Sequence, residues 1–303
     1  GVDGNVTIAS GVVAYPTDAA ADLKKIVSIQ HATCDIDQAP SEQHMVLELL
    51  PVMARDGKNQ LIPINGAPFV GVMADYLGYG ISRTDDLQHP YLHNQLTGRC
   101  CADMLQAAEE YLELKEIAVP SDLDLLGYSQ GGAATLSTML ELLGRDNAGW
   151  SSRIKEVWAG AGPYDLTAFM DFFKDKTSYA RSGYIPYAFR GIEYGDRLNL
   201  DDSKLYNSTD SWQAGDLEST LFSKTQVSTW HNVIGTDVTS ILHPDFYKEG
   251  FGGNSDLIQL EAAMRRNSIV SQDHSGVDLS KIKLWHSPQD DTVPYVCSEN
   301  LIS

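Results

Sequence analysis

Five consecutive residues carry the sharpest chemical signal in this sequence: Gly127-Tyr128-Ser129-Gln130-Gly131, a G-x-S-x-G pattern. An apolar run at 123–128 reads as the strand before it. An amphipathic stretch at 130–143, stopping at Gly144, reads as the helix after it. A serine on such a strand-to-helix turn is lifted into a cleft in a strained backbone conformation. The residues two before and two after it crowd the turn, so glycine is required at both. The following helix aims its N-terminus at the serine and favours negative charge there. Ser129 is therefore the expected nucleophile, and the Gln130 N–H the first donor to an oxyanion. The competing explanation, a glycine-rich turn with an incidental serine, fails to account for the flanking strand and helix.

A second oxyanion donor should come from the loop after an earlier buried strand. The run 25–31 is that strand, and the loop is His31-Ala32-Thr33. Thr33 N–H is the expected donor, with Ala32 N–H the alternative. His31 is read as a structural residue that shapes the loop.

These residues need a scaffold that brings distant segments to one edge. Strand-like runs occur at 6–15, 25–31, 69–74, 123–128, 154–159 and 281–286, with a helix over 94–114 whose apolar stripe reads Leu96, Cys100, Met104, Ala107 and Tyr111. Strands alternating with helices predict a mostly parallel sheet covered on both faces, with chemistry at the carboxyl ends of the strands. The rhythm breaks over 166–280, which is rich in aromatics: Tyr179, Tyr184, Tyr187, Phe189, Tyr194, Tyr206, Trp212, Phe222 and Trp230. This predicts a core of 1–165 and 281–303 with a lid or cap insertion at 166–280. Most of those aromatics are expected to be the insertion's own core, although some could line an acyl pocket or stack on sugars.

Composition narrows the partners. The chain has 303 residues, is 43% hydrophobic and carries a net charge of −19. Nucleic acid or an anionic membrane would demand clustered Lys and Arg, so neither is expected. No apolar run approaches a membrane span, and no stable membrane insertion is expected. An acidic surface favours a neutral or weakly charged substrate and does not by itself identify it. No cofactor or metal is implied. Asp85, His89 and His93 have a spacing that suits a metal, but Pro90 interrupts any continuous helix and a surface loop is the preferred reading. Cys34, Cys100, Cys101 and Cys297 lack paired metal-site spacing, and one of the adjacent pair could bridge to Cys34. Asn5-Val6-Thr7 and Asn207-Ser208-Thr209 fit the glycosylation acceptor pattern.

Several further segments, in order along nearly the whole chain, resemble the secretory lipases and related bacterial esterases of the α/β-hydrolase superfamily. They are residues 29–33, Ala74-Asp75-Tyr76-Leu77-Gly78-Tyr79-Gly80, His89-Pro90-Tyr91-Leu92, Gly162-Pro163-Tyr164-Asp165-Leu166 and 285–294. The resemblance implies an α/β-hydrolase fold with a helical lid after the sixth strand. It also implies ester hydrolysis by a Ser–Asp–His triad and a secreted, periplasmic or cell-surface location, with the cytoplasm still open. Aligned with the family's D-x-x-V-P pattern, Asp290 takes the triad acid position. Asp291 is its near alternative, and Asp165 a weaker one that more readily marks the start of the lid.

The family places its histidine after one further strand, and no histidine follows Asp290. Three explanations stay open: a truncated chain lacking the C-terminal strand and helix, a substitute from His231, His243 or His274, or a non-catalytic relative. Truncation is expected, with His286 structural. A peptidase or acyltransferase on the same scaffold is the alternative chemistry, and a ligand-binding relative the alternative class.

Overall fold

The centre of the sheet is made by two short runs that are buried on both faces: β2 (Lys25–Gln30) and β5 (Phe69–Ala74). β5 is apolar throughout, as a parallel strand covered from both sides favours, whereas β2 buries Ser28 and Gln30 beside Ile26, Val27 and Ile29. The computed structural model describes residues 1–16, 22–44, 53–55, 61–63, 68–83, 88–207 and 227–303. Around the central pair, β1 (Gly11–Ala14), β6 (Asp122–Tyr128), β7 (Ile154–Gly160) and β8 (Ile282–Trp285) complete a six-stranded sheet in the order β1-β5-β2-β6-β7-β8. Only β1 is antiparallel to its neighbour. A separate antiparallel pair, β3 (Met53–Arg55) and β4 (Leu61–Pro63), was not foreseen from the sequence.

Two helices, α1 (Asn94–Leu114) and α2 (Gln130–Arg145), pack together on one face of this sheet. Leu105 and Leu112 of α1, with Leu136 and Leu142 of α2, cover Leu123, Leu125 and Val157 of the strands, all buried. The opposite face is open over β7 and β8, where the Trp158 and Trp285 rings lie 6.3 Å apart and both are exposed.

The described part of 166–280 is helical, with α4 (Leu166–Asp171), α5 (Tyr184–Asp196), α6 (Asp202–Leu205), α7 (Val227–Ile234), α8 (Pro244–Glu249) and α9 (Ser255–Asn267). A short α3 (Asn147–Arg153) precedes β7 and α10 (Val296–Ile302) follows β8. The region buries a second apolar cluster, shared with Tyr91, Leu92, Val293 and Cys297 from outside it, in which Tyr179, Tyr187, Phe189, Tyr206 and Trp230 are buried and Tyr184 packs at the margin. Trp212 and Phe222 lie outside the described residues.

Four expectations need correction. β1 pairs only over Gly11–Ala14, because β5 ends at Ala74, opposite Gly11. Residues 6–10 have no ladder to join, and Val6 and Ile8 are exposed. The buried stripe of α1 is Thr97, Cys101, Leu105, Ala108 and Leu112, one residue round from the predicted one, leaving Ala107 and Tyr111 exposed. One residue is about 100° of helix rotation. Alongside Leu105 and Leu112, the packed face uses the small or weakly polar Thr97, Cys101 and Ala108, which a hydropathy pattern undervalues. α2 runs through Gly144 to Arg145, whose guanidinium is held by Asp103 and Glu141. Asp146 then caps α3 by accepting from Gly149 N–H. Finally, the His89-Pro90-Tyr91-Leu92 segment is buried, not a surface loop.

Candidate active site

The register of the parallel strands sets the stage. Tyr128, Gly160 and Trp285 stand in one row across β6, β7 and β8. The segments that leave these strands therefore emerge at the same edge of the sheet. Ser129 leaves β6 with φ 57° and ψ −122°, a left-handed conformation that costs a non-glycine residue roughly 1–3 kcal/mol. Its N–H is tied to Gly160 O at 2.8 Å, and its own carbonyl accepts the first bonds of α2 from Gly132 and Ala133. Among the described residues its Oγ makes no hydrogen bond, and the residue is partly exposed.

The flanking glycines are explained by contact. A Cβ on Gly127 would stand 2.2 Å from Gly131 O, and one on Gly131 would stand 2.0 Å from Gln30 O. The second contact has a consequence for chemistry: the first turn of α2 is pressed directly onto the end of β2. The Gln130 N–H, which takes no acceptor among the described residues, is thereby brought against the loop that begins at His31.

That loop is held by its side chains. The His31 ring stacks on Tyr76 at 3.8 Å, and its Nδ1 lies 2.8 Å from Ala32 O. The Tyr76 hydroxyl donates to His31 O and the Tyr79 hydroxyl to Cys34 O, each at 3.0 Å. Thr33 Oγ1 and the Tyr91 hydroxyl share a 2.9 Å hydrogen bond.

Asp290 lies in the turn after β8. Its Oδ1 accepts from Thr292 N–H and Val293 N–H, and its Oδ2 is 3.4 Å from His286 Nε2. Tyr128, next to the serine, has its hydroxyl pKa raised, first by burial and then by the Asp290 charge. Asp291 is exposed, engaging only Thr292 Oγ1. Asp165 is occupied otherwise: its Oδ1 caps α4 by accepting from Thr167 and Ala168 N–H, and its Oδ2 accepts from Asn300.

The histidines are engaged structurally. His243 caps α8, His274 Nε2 meets Ile269 O, and His231 Nδ1 accepts from Gly183 N–H, with burial bringing its pKa down to about 4. His286 donates from Nε2 to Val293 O and accepts at Nδ1 from the Ser298 hydroxyl. Among the described residues no histidine bonds to Ser129 Oγ. His89 and His93 point to different partners. His89 faces Leu77 O and Gln130, while His93 caps α1 and reaches Asp196. Asp85 and the acceptor residues Ser208 and Thr209 lie outside the described residues. Among those described, no cluster of three His, Cys, Asp or Glu suits a metal. None of the four cysteines forms a disulfide, so Cys34 is not bridged to Cys100 or Cys101, and burial pushes the Cys100 thiol up to about 12.

Sequence reasoning missed the polar framework beneath the elbow. Gln30 donates to Ser28 Oγ and accepts from Thr135 Oγ1, both at 2.8 Å, and all three side chains are buried. A glutamine at the end of an otherwise apolar strand was the available signal.

Comparison with solved structures defines the class. The esterase LipA of Xanthomonas oryzae, described as degrading rice cell wall, matches with a TM-score of 0.77 at 22% identity over 100% of this chain and 76% of its own. A Legionella pneumophila protein matches with a TM-score of 0.76 at 23% identity, over 99% and 74%. Lipase A of Candida antarctica in its closed state matches with a TM-score of 0.57 at 16% identity, over 96% and 63%. No protein-family model and no curated protein matches the sequence. The chain has the α/β-hydrolase fold. At these identities the likeness speaks to the fold alone, and several of the proteins that share it are esterases and lipases. No helix among the described residues is long and apolar enough to cross a membrane.

Proposed function

We propose that this protein hydrolyses carboxylic esters through an acyl-enzyme on Ser129. The observation that carries the reading is the elbow: an unbonded, partly exposed Oγ on a left-handed backbone, directly before an N–H without an acceptor at the start of α2. Oγ attacks the ester carbonyl carbon. The carbonyl oxygen takes up negative charge between Gln130 N–H and Thr33 N–H, and the C–O bond to the alcohol breaks, the alcohol leaving with the proton that Ser129 Oγ gives up as the acyl-enzyme forms. Water then releases the acid. Asp290 is the acid of the triad, supported by its place at the same sheet edge and its effect on Tyr128. The reading assigns no base, since no described histidine bonds to Ser129 Oγ. Turnover by this chain is expected at the residual level of oxyanion stabilisation and binding, on the order of 10³–10⁴ over water.

The helical region 166–280 is read as a cap on a core of 1–165 and 281–303. The second apolar cluster, drawn mostly from this region, supports this, as do the Tyr184 and Tyr187 rings that reach Tyr91 beside Thr33. The esterases and lipases among the structural neighbours favour a lipid, carbohydrate or small acyl ester as substrate over a peptide. The description of LipA as a cell-wall-degrading enzyme suits action outside the cytoplasm. Labelling with a fluorophosphonate, located by mass spectrometry, tests the reading. Modification at Ser129 that vanishes in Ser129→Ala supports it. Labelling elsewhere, or none, overturns it. A panel of acyl esters, aryl esters and peptides then separates esterase from peptidase.

A further inference from the structure

The two oxyanion donors come from segments almost a hundred residues apart, and a working hole needs them placed to within a few tenths of an ångström. Both are tied to one short turn. Gln130 Nε2 donates to His89 Nε2 at 2.9 Å, and His89 Nδ1 donates to Leu77 O at 2.7 Å. The Leu77 carbonyl can only accept, so it settles the tautomer and leaves Nε2 as the acceptor for Gln130. Two residues on, the Tyr91 hydroxyl holds Thr33 Oγ1 at 2.9 Å. Pro90 stands between them, and Tyr91 N–H bonds back to His89 O at 2.8 Å, so the turn is stiff.

The turn is itself gripped on each side. The Tyr79 ring meets the His89 ring edge-on at 4.6 Å, and Tyr91 stacks on Tyr187 of α5 at 4.1 Å with 10° between the planes. Gln130, His89 and Tyr91 are all buried. Neither hydrogen bond supplies bulk: Tyr91→Phe would keep the ring stack on Tyr187, and the His89 ring meets Tyr79 without using its nitrogens. What each adds is direction.

We propose that His89-Pro90-Tyr91 is a brace that sets the oxyanion hole, with His89 the positioning residue for Gln130 and Tyr91 the positioning residue for Thr33. This rests on the reading of Ser129, Gln130 and Thr33 given above. It extends that reading to two residues that touch neither substrate nor nucleophile.

The test uses the full chain and saturation kinetics of fluorophosphonate labelling at Ser129, with Tyr91→Phe, His89→Phe, His89→Gln and the Tyr91→Phe/His89→Phe double variant. Each Phe variant is expected to slow the maximal labelling rate about ten-fold while the half-saturating probe concentration moves less than two-fold. The double variant should be slower than either. His89→Gln keeps an acceptor for the Gln130 amide and should recover most of the rate, which a merely space-filling role would not predict. Tyr91→Phe loses one oxygen and keeps the ring stack, so it decides the matter if His89→Phe does not fold. Wild-type rates in folded Tyr91→Phe, or a loss confined to probe binding, overturn the brace while leaving the esterase reading intact. Absence of Ser129 labelling in the wild type overturns both.

Discussion

The sheet edge around Ser129 and the helical region 166–280 are both well buried, but they are held by different forces. At the edge, the buried side chains are Ser28, Gln30, His31, His89, Gln130 and Thr135, joined by directional hydrogen bonds. In the helical region they are Leu166, Phe173, Phe189, Phe246 and Leu260, none of which meets solvent. Apolar burial is non-directional and supplies stability in bulk. A buried polar network costs more to assemble and tolerates only one geometry. The edge is thus dominated by polar contacts and the helical region by apolar ones, with the Arg190–Glu193–Asp202 cluster as a buried polar exception in the helical region.

The comparison can be broken most forcefully in the helical region. Phe173→Ala should lower stability by about 3–5 kcal/mol in urea unfolding, because the side chain is fully enclosed by its cluster. The fraction that remains folded should still label at Ser129. If Phe173→Ala abolishes labelling in folded protein, the two regions are not separable as described.

Gly131→Ala strikes the edge. Its Cβ would meet Gln30 O, a backbone atom that cannot step aside. A loss of about 3 kcal/mol is expected, with labelling suppressed in whatever folds. Normal labelling would mean that α2 need not press on β2.

The edge should also be sensitive to acid. Burial brings the His89 pKa from 6.5 down to about 3. The unfolded chain therefore takes up a proton below pH 6.5 that the folded chain refuses. The stability this histidine supplies is complete above pH 6.5 and falls as pH drops towards 3. Between pH 7.5 and 5.0 that is about 2 kcal/mol. Urea unfolding at both pH values should show a smaller loss in His89→Phe than in wild type, and equal losses would refute the assignment.

The smallest effect separates the two aspartates. Asp165→Ala removes a helix cap and should cost about 1 kcal/mol with no change in labelling. A large loss of labelling there would return Asp165 to the site and weaken the claim of Asp290.

Much of this was readable in the residues. The elbow was legible because strand, turn and helix are contiguous, and glycines at both flanks have one simple steric cause. β5 and α1 were placed at their observed bounds and β8 within one residue at each end, since each is a local pattern ended by a turn. The facing of α1 was not, because Thr97, Gly98 and Cys101 pack by being small, and hydropathy does not score that. His89 illustrates the harder limit. Its sequence neighbours suggested a metal spacing with His93, yet the two rings turn to Leu77 and Gln130 in one case and to Leu96 and Asp196 in the other.

By itself, the sequence determined the strand-turn-helix that carries Ser129, the mostly parallel character of the sheet that presents it, and the loss of strand–helix alternation after Leu166, all written in periodicity and glycine over short spans. Only the tertiary structure decided what surrounds Ser129: which rings seat the His31-Ala32-Thr33 loop, that Asp165 serves as a cap, and that one buried turn reaches both Gln130 and Thr33. Those contacts join residues 41 to 135 apart in the chain. Their partners are selected by close packing in three dimensions, to which no local pattern of residue types has access.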